Sequence, residues 1–121
     1  MKIPGPDHPI TITPNPRRVR IIAGDKVIAD TTSALALKEA TFPVVNYIPR
    51  ADVDMSLLTP TARSTHCPYK GDASYFTIEA GGKTFENAVW SYETPFPAMN
   101  GITKYLAFYP NKVERIEELP A

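Results

Sequence analysis

The residue types most able to do acid–base or covalent chemistry gather in one short segment, His66-Cys67-Pro68-Tyr69-Lys70-Gly71. A thiol beside cationic groups has a lowered pKa and can act as a nucleophile. Adjacent residues of a strand point to opposite faces, however, so His66 need not approach the sulfur of Cys67. A lone cysteine is also often a small buried apolar residue. The segment therefore favours a structural or redox-inert Cys67 and leaves an enzyme, with Cys67 as nucleophile or Lys70 as general base, as an alternative.

A second candidate is the carboxylate pair of Asp52-Val53-Asp54, which lies on one side of an extended segment. Nucleotidyltransferases use this spacing to hold Mg²⁺. The Gly-Ser loop expected upstream for a triphosphate is not present, so a turn or capping role for Asp52 beside Arg50 is favoured. With one cysteine and two histidines, a zinc site would need carboxylate help, and we expect neither metal nor cofactor.

The strongest structural signal is a hairpin in the second half of the chain. Residues 74–80 and 83–90 alternate apolar and polar types on either side of Gly81-Gly82. A two-residue glycine turn predicts an antiparallel pair in which Ile78 faces Phe85.

This register predicts where the chemically reactive segment lies. Extended along both strands, it sets Ala73 opposite Trp90 and Gly71 near Tyr92. The loop at residues 66–71 is then expected to run beside the strand that carries the indole, and the two would wall one pocket. The candidate ligand-binding residues are Arg50, Asp52, His66, Cys67, Tyr69, Lys70, Tyr75, Trp90 and Tyr92.

The remaining elements are mostly short strands. A Gly24-Asp25 turn predicts a first hairpin, and a helix is predicted over Pro97–Phe108, where apolar residues follow helical spacing. Arg50–Leu58 is predicted as a turn or short helical piece leading to a loop that ends near Pro60. Further strands are predicted at residues 10–13, 44–48 and 113–117, and residues 31–40 are predicted as a strand or a single turn. The sequence predicts a mostly-β compact single domain with seven to nine short antiparallel strands and one short C-terminal helix.

Length and composition exclude several classes of protein. The 121 residues suit one domain, divided here into a proline-rich arm (1–16) and a mostly-β domain (17–121). Thirteen prolines argue against a helical bundle, and a formal net charge of zero argues against a nucleic-acid phosphate binder. No segment suits a signal peptide or a membrane span, so we expect a cytoplasmic protein that binds neither nucleic acid nor membrane. A homodimer is compatible with the sequence, which fixes no oligomeric state.

Four segments together resemble a bacterial family, the domain of unknown function 427, over about residues 17–115: residues 47–53, 67–75, 90–92 and 106–110. The resemblance implies a compact fold of the Mss4-like or β-tent type with one short helix. A nucleotidyltransferase label attaches to the family without an established activity. Zinc-binding relatives of this fold use two Cys-x-x-Cys knuckles, which a chain with one cysteine lacks. The motif residues carry over as Tyr47, Pro49, Asp52, Cys67, Pro68, Tyr69, Lys70, Gly71, Tyr75, Trp90 and Tyr92.

The favoured hypothesis is a small-molecule-binding domain. Lys70 and Arg50 would attract a small anionic ligand, Tyr69 and Tyr75 would offer hydrogen bonds, and Trp90 would provide a stacking face. The first alternative is a structural or oligomerisation module in which the same residues merely pack. The second is an enzyme, either thiol-based or nucleotidyltransferase-like.

Overall fold

The computed structural model describes residues 1–120, and within them ten strands form three antiparallel sheets. The strands are β1 (Ile10–Asn15), β2 (Arg18–Ala23), β3 (Lys26–Thr31), β4 (Ala34–Glu39), β5 (Val45–Tyr47), β6 (Leu58–Cys67), β7 (Gly71–Ala80), β8 (Lys83–Ser91), β9 (Leu106–Phe108) and β10 (Arg115–Leu119). Short 3₁₀ helices cover Arg50–Asp52, Met55–Leu57 and Pro97–Ile102. The predicted mostly-β architecture is confirmed. None of the helices in residues 1–120 is long and apolar enough to cross a membrane.

Connections between the sheets bring the site together. Sheet one has the order β1-β4-β5, sheet two β10-β2-β3, and sheet three β6-β7-β8-β9. An isolated bridge between Ile48 and Leu106 joins the end of β5 to β9, and another between Ala29 and Val53 ties β3 to the chain after the first 3₁₀ helix. Sheet one is thereby held beside the four-stranded sheet three.

The buried apolar side chains divide into two clusters. The first, here called the aliphatic cluster although it also includes Phe76 and Phe108, packs β2 and β3 against sheet three. Its Ile28, Ile78 and Val89 are almost fully buried. The second, here called the aromatic core, lies between sheet one and sheet three and includes Tyr47 and Tyr92. Because β7 and β8 are buried on both faces, they supply apolar residues to both clusters.

The predicted register of the β7–β8 hairpin is right near the turn and wrong beyond it. Ile78 faces Phe85 as expected, but the next pair is Phe76 with Val89, so β8 carries two extra residues in a bulge. Asn87 adopts a left-handed φ of 50° there, and Thr77 Oγ1 accepts its backbone N–H at 3.1 Å. Tyr75, not Ala73, therefore lies opposite Trp90. A shift of two residues keeps every side chain on its expected face.

Two other expectations were wrong in extent. The predicted helix over Pro97–Phe108 is a 3₁₀ helix that ends at Ile102, and Leu106–Phe108 is a strand paired with β8. The loop expected near Pro60 is part of β6, a ten-residue strand. Proline is tolerated there because β6 is at the edge of sheet three and its pairing with β7 is interrupted between Pro60 and Ser64.

Candidate aromatic pocket

A cavity of about 240 Å³ lies between sheet one and sheet three, at one end of the aromatic core. Strands β4 and β5 form one wall, and β6, β7 and β8 form the other. Aromatic rings predominate, with one cation and one carboxylate among them. The lining residues are Leu37, Glu39, Phe42, Pro43, Val45, Tyr47, Thr65, Lys70, Tyr75, Trp90, Tyr92 and Tyr109.

The indole of Trp90 is the centre of the aromatic wall. Its ring is tilted against that of Tyr109, with centroids 4.4 Å apart, and meets Tyr47 edge to face at 6.2 Å. Its Nε1–H donates to the Tyr47 hydroxyl at 3.2 Å. These contacts hold the rings in the offset and edge-on arrangements that aromatic pairs prefer.

A buried ion pair closes one side of the cavity. Lys70 Nζ donates to Glu39 Oε1, and the other carboxylate oxygen, Oε2, is 2.7 Å from His8 Nε2. The Lys70 and Glu39 side chains are only 10% and 13% exposed. Burial raises the pKa of Glu39, but the hydrogen bonds and charges of Lys70 and His8 outweigh it, so that its pKa lies below the ordinary value. Glu39 therefore stays ionised, which neutralises the charge of Lys70.

The N-terminal arm covers the rim beside this ion pair. The His8 ring stacks on Tyr69 with centroids 4.1 Å apart. The backbone N–H of Lys2 donates to the Pro68 carbonyl at 2.8 Å, and its amine lies 5.9 Å from the centre of the Tyr69 ring. Tyr69 thus holds the arm rather than lining the cavity.

Four tyrosines contribute hydroxyls with different acidities. Burial raises the pKa of Tyr47 and of Tyr92 far above the ordinary value. Tyr75 and Tyr109 share a hydrogen bond of 3.1 Å, and burial together with that bond raises the pKa of Tyr109 to about 12. Burial also raises the pKa of Tyr75, but its hydrogen bonds and the Arg63 charge lower it by more. With raised pKa values, Tyr47, Tyr92 and Tyr109 stay neutral at pH 7 and can donate a proton to an acceptor.

The structure brings together some of the sequence-predicted site residues. Lys70, Tyr75, Trp90 and Tyr92 line the cavity. Cys67 packs against the aromatic core, and its sulfur is 3.7 Å from Lys70 Nζ, without being among the lining residues.

Three further predicted site residues, His66, Arg50 and Asp52, lie away from the cavity. His66 is on the face of β6 that points away from the cavity, where its side chain is exposed. Its Nδ1 is 2.7 Å from Asp72 Oδ1. The Arg50 guanidinium donates to Glu93, Ser91 and the carbonyl of Lys104.

The two aspartates of the carboxylate pair have separate partners. Asp52 accepts a hydrogen bond from Thr31 Oγ1 at 2.7 Å, and Asp54 caps a 3₁₀ helix by accepting from the backbone of Ser56 at 3.2 Å. Among residues 1–120, no group of three or more histidine, cysteine, aspartate or glutamate side chains is placed to hold a metal ion.

Sequence reasoning missed the wall contributed by sheet one. Glu39 is 31 residues from Lys70 along the chain, and no motif links them. Tyr47 and Tyr109 were within reach, since both belong to segments that carry the family resemblance. The missed lining residues are Leu37, Glu39, Phe42, Pro43, Val45, Tyr47, Thr65 and Tyr109.

The fold and the site together define a small mostly-β domain with a cavity lined mainly by aromatic side chains. A comparison with family models matches residues 11–119 to the family described as Domain of unknown function (DUF427). The chain belongs to this family. No curated protein matches the chain.

Proposed function

We propose that the protein is a small-molecule-binding domain whose site is the aromatic cavity between sheets one and three. The observation that carries the proposal is the convergence on one cavity of Trp90, four tyrosines and a buried lysine from separate strands. Such a mixture of apolar walls and a few oriented polar groups is typical of ligand sites.

The cavity dimensions support a small ligand. Its volume, about 240 Å³, is below the roughly 300–1,000 Å³ of pockets for drug-sized compounds. The sequence predicts that the positive charges of Lys70 and Arg50 attract an anion. In the structure this attraction is weakened, because Arg50 is paired with Glu93 and Lys70 with Glu39. An anion would therefore be held by hydrogen bonds from within the cavity rather than by a strongly positive field.

A ligand screen by thermal unfolding tests the proposal. A compound that binds only the folded protein raises the midpoint by mass action. We expect at least one compound of a small-metabolite panel to raise it, and Trp90→Phe to reduce that shift. Phe85→Leu is the matched control because Phe85 packs against the aliphatic cluster, outside the cavity. If no compound acts on the wild type, or if Trp90→Phe leaves the shift unchanged, the cavity is not a binding site.

The alternative of a structural module has a different signature. It predicts that substitutions of cavity residues change stability alone and that no small molecule competes for the space. A thiol-based or nucleotidyltransferase-like enzyme has less support, since Lys70 is committed to Glu39 and both aspartates serve as local hydrogen-bond acceptors.

The proposal also includes the cellular location of the protein and its fold type. We place the protein in the bacterial cytoplasm, where its single free cysteine would stay reduced, and assign its architecture to the Mss4-like or β-tent type. Fractionation of the native host and an experimental structure of a liganded form test these two assignments.

A further inference from the structure

Hydrogen-bonding capacity in the cavity is unevenly distributed. Both oxygens of Glu39 are engaged, one by Lys70 and the other by His8. Tyr47 Oη already accepts the indole N–H of Trp90, which leaves its own proton free to donate. In the part of the chain that the structure describes, the Tyr92 hydroxyl has no hydrogen-bond partner. Each of these two phenols therefore keeps a proton for a ligand acceptor, while the Glu39 carboxylate already binds two donors.

Both tyrosines that keep a hydroxyl proton to donate are buried residues. Tyr47 is 2% exposed and Tyr92 is 6% exposed, and both line the cavity. Among the described residues, Arg20 Nε is the one fully buried side-chain polar atom without a partner, so the Tyr92 hydroxyl itself opens onto the cavity. An acceptor brought by a ligand could take up its proton there.

Lys70 adds a third donor with a positive charge. One ammonium proton is directed at Glu39 and a second at the sulfur of Cys67, 3.7 Å away. An ammonium group has three protons, so one remains for a ligand. A cationic ligand would have to share the Glu39 carboxylate with Lys70 and His8, whereas an anionic one would find three donors.

Apart from the hydroxyls of Thr65, Tyr75 and Tyr109, the rest of the lining is apolar. Trp90 and Tyr109 form an aromatic wall, and Leu37, Phe42 and Val45 line the cavity with them. The volume of about 240 Å³ corresponds to about eight water molecules of ~30 Å³ each. A six-membered ring with one small substituent occupies a space of that order.

From these observations we propose that the cavity binds a small planar monocarboxylate, with its oxygens on the Tyr47 and Tyr92 hydroxyls and Lys70, and its ring against Trp90. This inference rests on the proposed function and names the ligand class of the same site. Hydrogen bonds from donors to a carboxylate are about twice as strong as those to a neutral acceptor, which favours the acid over its amide.

The test uses the sole tryptophan of the chain as its reporter. Benzoate, benzamide and benzylamine are titrated at pH 7 while Trp90 fluorescence is recorded, and calorimetry checks each affinity. We expect benzoate to bind, benzamide to bind more weakly, and benzylamine not to bind. Equal or tighter binding of benzylamine would overturn the inference.

Two variants test the assigned donor. Tyr92→Phe removes one hydroxyl and keeps the ring, and it should weaken benzoate binding about tenfold. Because that hydroxyl has no described protein partner, the far-ultraviolet circular dichroism and the thermal midpoint of the unliganded variant should stay close to those of the wild type. Tyr105→Phe is the control, since Tyr105 is outside the cavity. Unchanged benzoate affinity in Tyr92→Phe contradicts the assigned contact.

The outcomes separate the two proposals. If benzoate fails to bind but another compound raises the thermal midpoint in a Trp90-dependent manner, the ligand class is wrong and the binding function stands. If nothing binds the wild type, both fail.

Discussion

Lys70 carries a positive charge on an almost completely buried side chain. The stability of the protein therefore depends on the Glu39 carboxylate that pairs with it. Glu39 accepts from Lys70 within the cavity wall, with both side chains nearly inaccessible. We predict that Lys70→Met lowers the free energy of unfolding by about 3 kcal/mol, because it leaves a buried carboxylate with His8 as its remaining partner. Urea denaturation followed by circular dichroism measures the change.

The chain offers a matched control on its surface. Lys83 pairs with Glu114 at 3.3 Å, but its side chain is 59% exposed. Lys83→Met should change stability by about 1 kcal/mol or less, as is usual for exposed pairs. The double variant Lys70→Met/Glu39→Gln should recover much of the loss, because no unpaired buried charge remains. A Lys70→Met cost no larger than that of Lys83→Met contradicts the buried pair.

The same pair shows what a sequence reveals at the level of single residues. Lys70 was predicted as a site residue because histidine, cysteine and tyrosine surround it in the chain. Glu39 was not, since it follows a run of Ala and Leu and its role exists only once β4 lies beside the β6–β7 turn. Contacts between residues far apart in sequence arise from tertiary packing, which spacing alone does not encode.

At the scale of the element, the bulge in β8 sets which residues face each other across the site. Asn87 adopts the left-handed conformation, and its side-chain oxygen accepts from Thr61 Oγ1 at 2.7 Å. We predict that Asn87→Val lowers the free energy of unfolding by about 1–2 kcal/mol, since a β-branched residue strongly disfavours positive φ. Chemical denaturation measures the loss.

Asn87→Gly is the control for this prediction. Glycine tolerates positive φ, so this variant loses only the side-chain hydrogen bond to Thr61 and should be the more stable of the two. Asn87→Val should also change the emission of Trp90, because the bulge places Trp90 opposite Tyr75. Equal stability of the two variants contradicts a role for backbone strain.

Two neighbouring glycines in the β7–β8 turn separate a conformational requirement from a packing requirement. Gly81 and Gly82 both have positive φ, but a Cβ on Gly81 would lie 2.1 Å from the Gly24 carbonyl oxygen, whereas one on Gly82 would meet open space. Gly82→Ala should cost about 1–2 kcal/mol through conformation alone. Gly81→Ala should cost roughly 1–3 kcal/mol more, because the two hairpin turns must move apart. Similar thermal midpoints for the two variants contradict the contact between turns.

The elements themselves were partly readable from the sequence. The Gly24-Asp25 and Gly81-Gly82 turns predicted both hairpins, because glycine accepts the backbone angles that tight turns need. The predicted helix failed at Leu106–Phe108, where apolar spacing suits a helix but pairing with Val89, Trp90 and Ser91 extends sheet three instead. Tertiary pairing overrode local propensity there.

At the scale of the whole molecule, three carboxylates link stability to acid. The Arg18 guanidinium lowers the pKa of Asp30, and the Asp25 backbone with Lys83 lowers that of Glu114; both lie at the surface. The pKa of Glu39 is also lowered, by Lys70 and His8 against burial. A carboxylate with a lowered folded pKa stabilises the fold above its unfolded pKa and loses this contribution as pH falls. We predict that the free energy of unfolding decreases below the ordinary pKa of glutamate, 4.5.

Glu39→Gln isolates the buried contribution to this acid dependence. The variant should be less stable than the wild type at pH 7 and should lose stability less steeply as pH falls, because it has no carboxylate at this position to protonate. Glu114→Gln is the surface counterpart, with a smaller expected effect since solvent screens its pair with Lys83. Parallel stability–pH curves for wild type and Glu39→Gln would falsify the assignment.

The tyrosines of the aromatic core make the stability of the protein fall as pH rises in the alkaline range, whereas the carboxylates make it fall as pH decreases in the acid range. Burial raises the pKa of Tyr47 and Tyr92 above the ordinary value of 10.0, so above that pH the unfolded chain loses phenolic protons that the folded protein retains. Raised folded pKa values contribute stability that is complete below pH 10 and is lost as pH rises. We predict that unfolding and phenolate absorbance from these residues appear together.

Tyr92→Phe should make this alkaline loss of stability less steep, and Tyr47→Phe should do the same from a lower starting stability, because its hydroxyl also accepts from Trp90. Comparing slopes rather than absolute values therefore separates ionisation from the lost hydrogen bond. If the folded wild type ionises all six tyrosines while its circular dichroism remains native, the phenols are open to solvent. The cavity would then be too wet to retain buried donors, and a carboxylate would gain little by entering it.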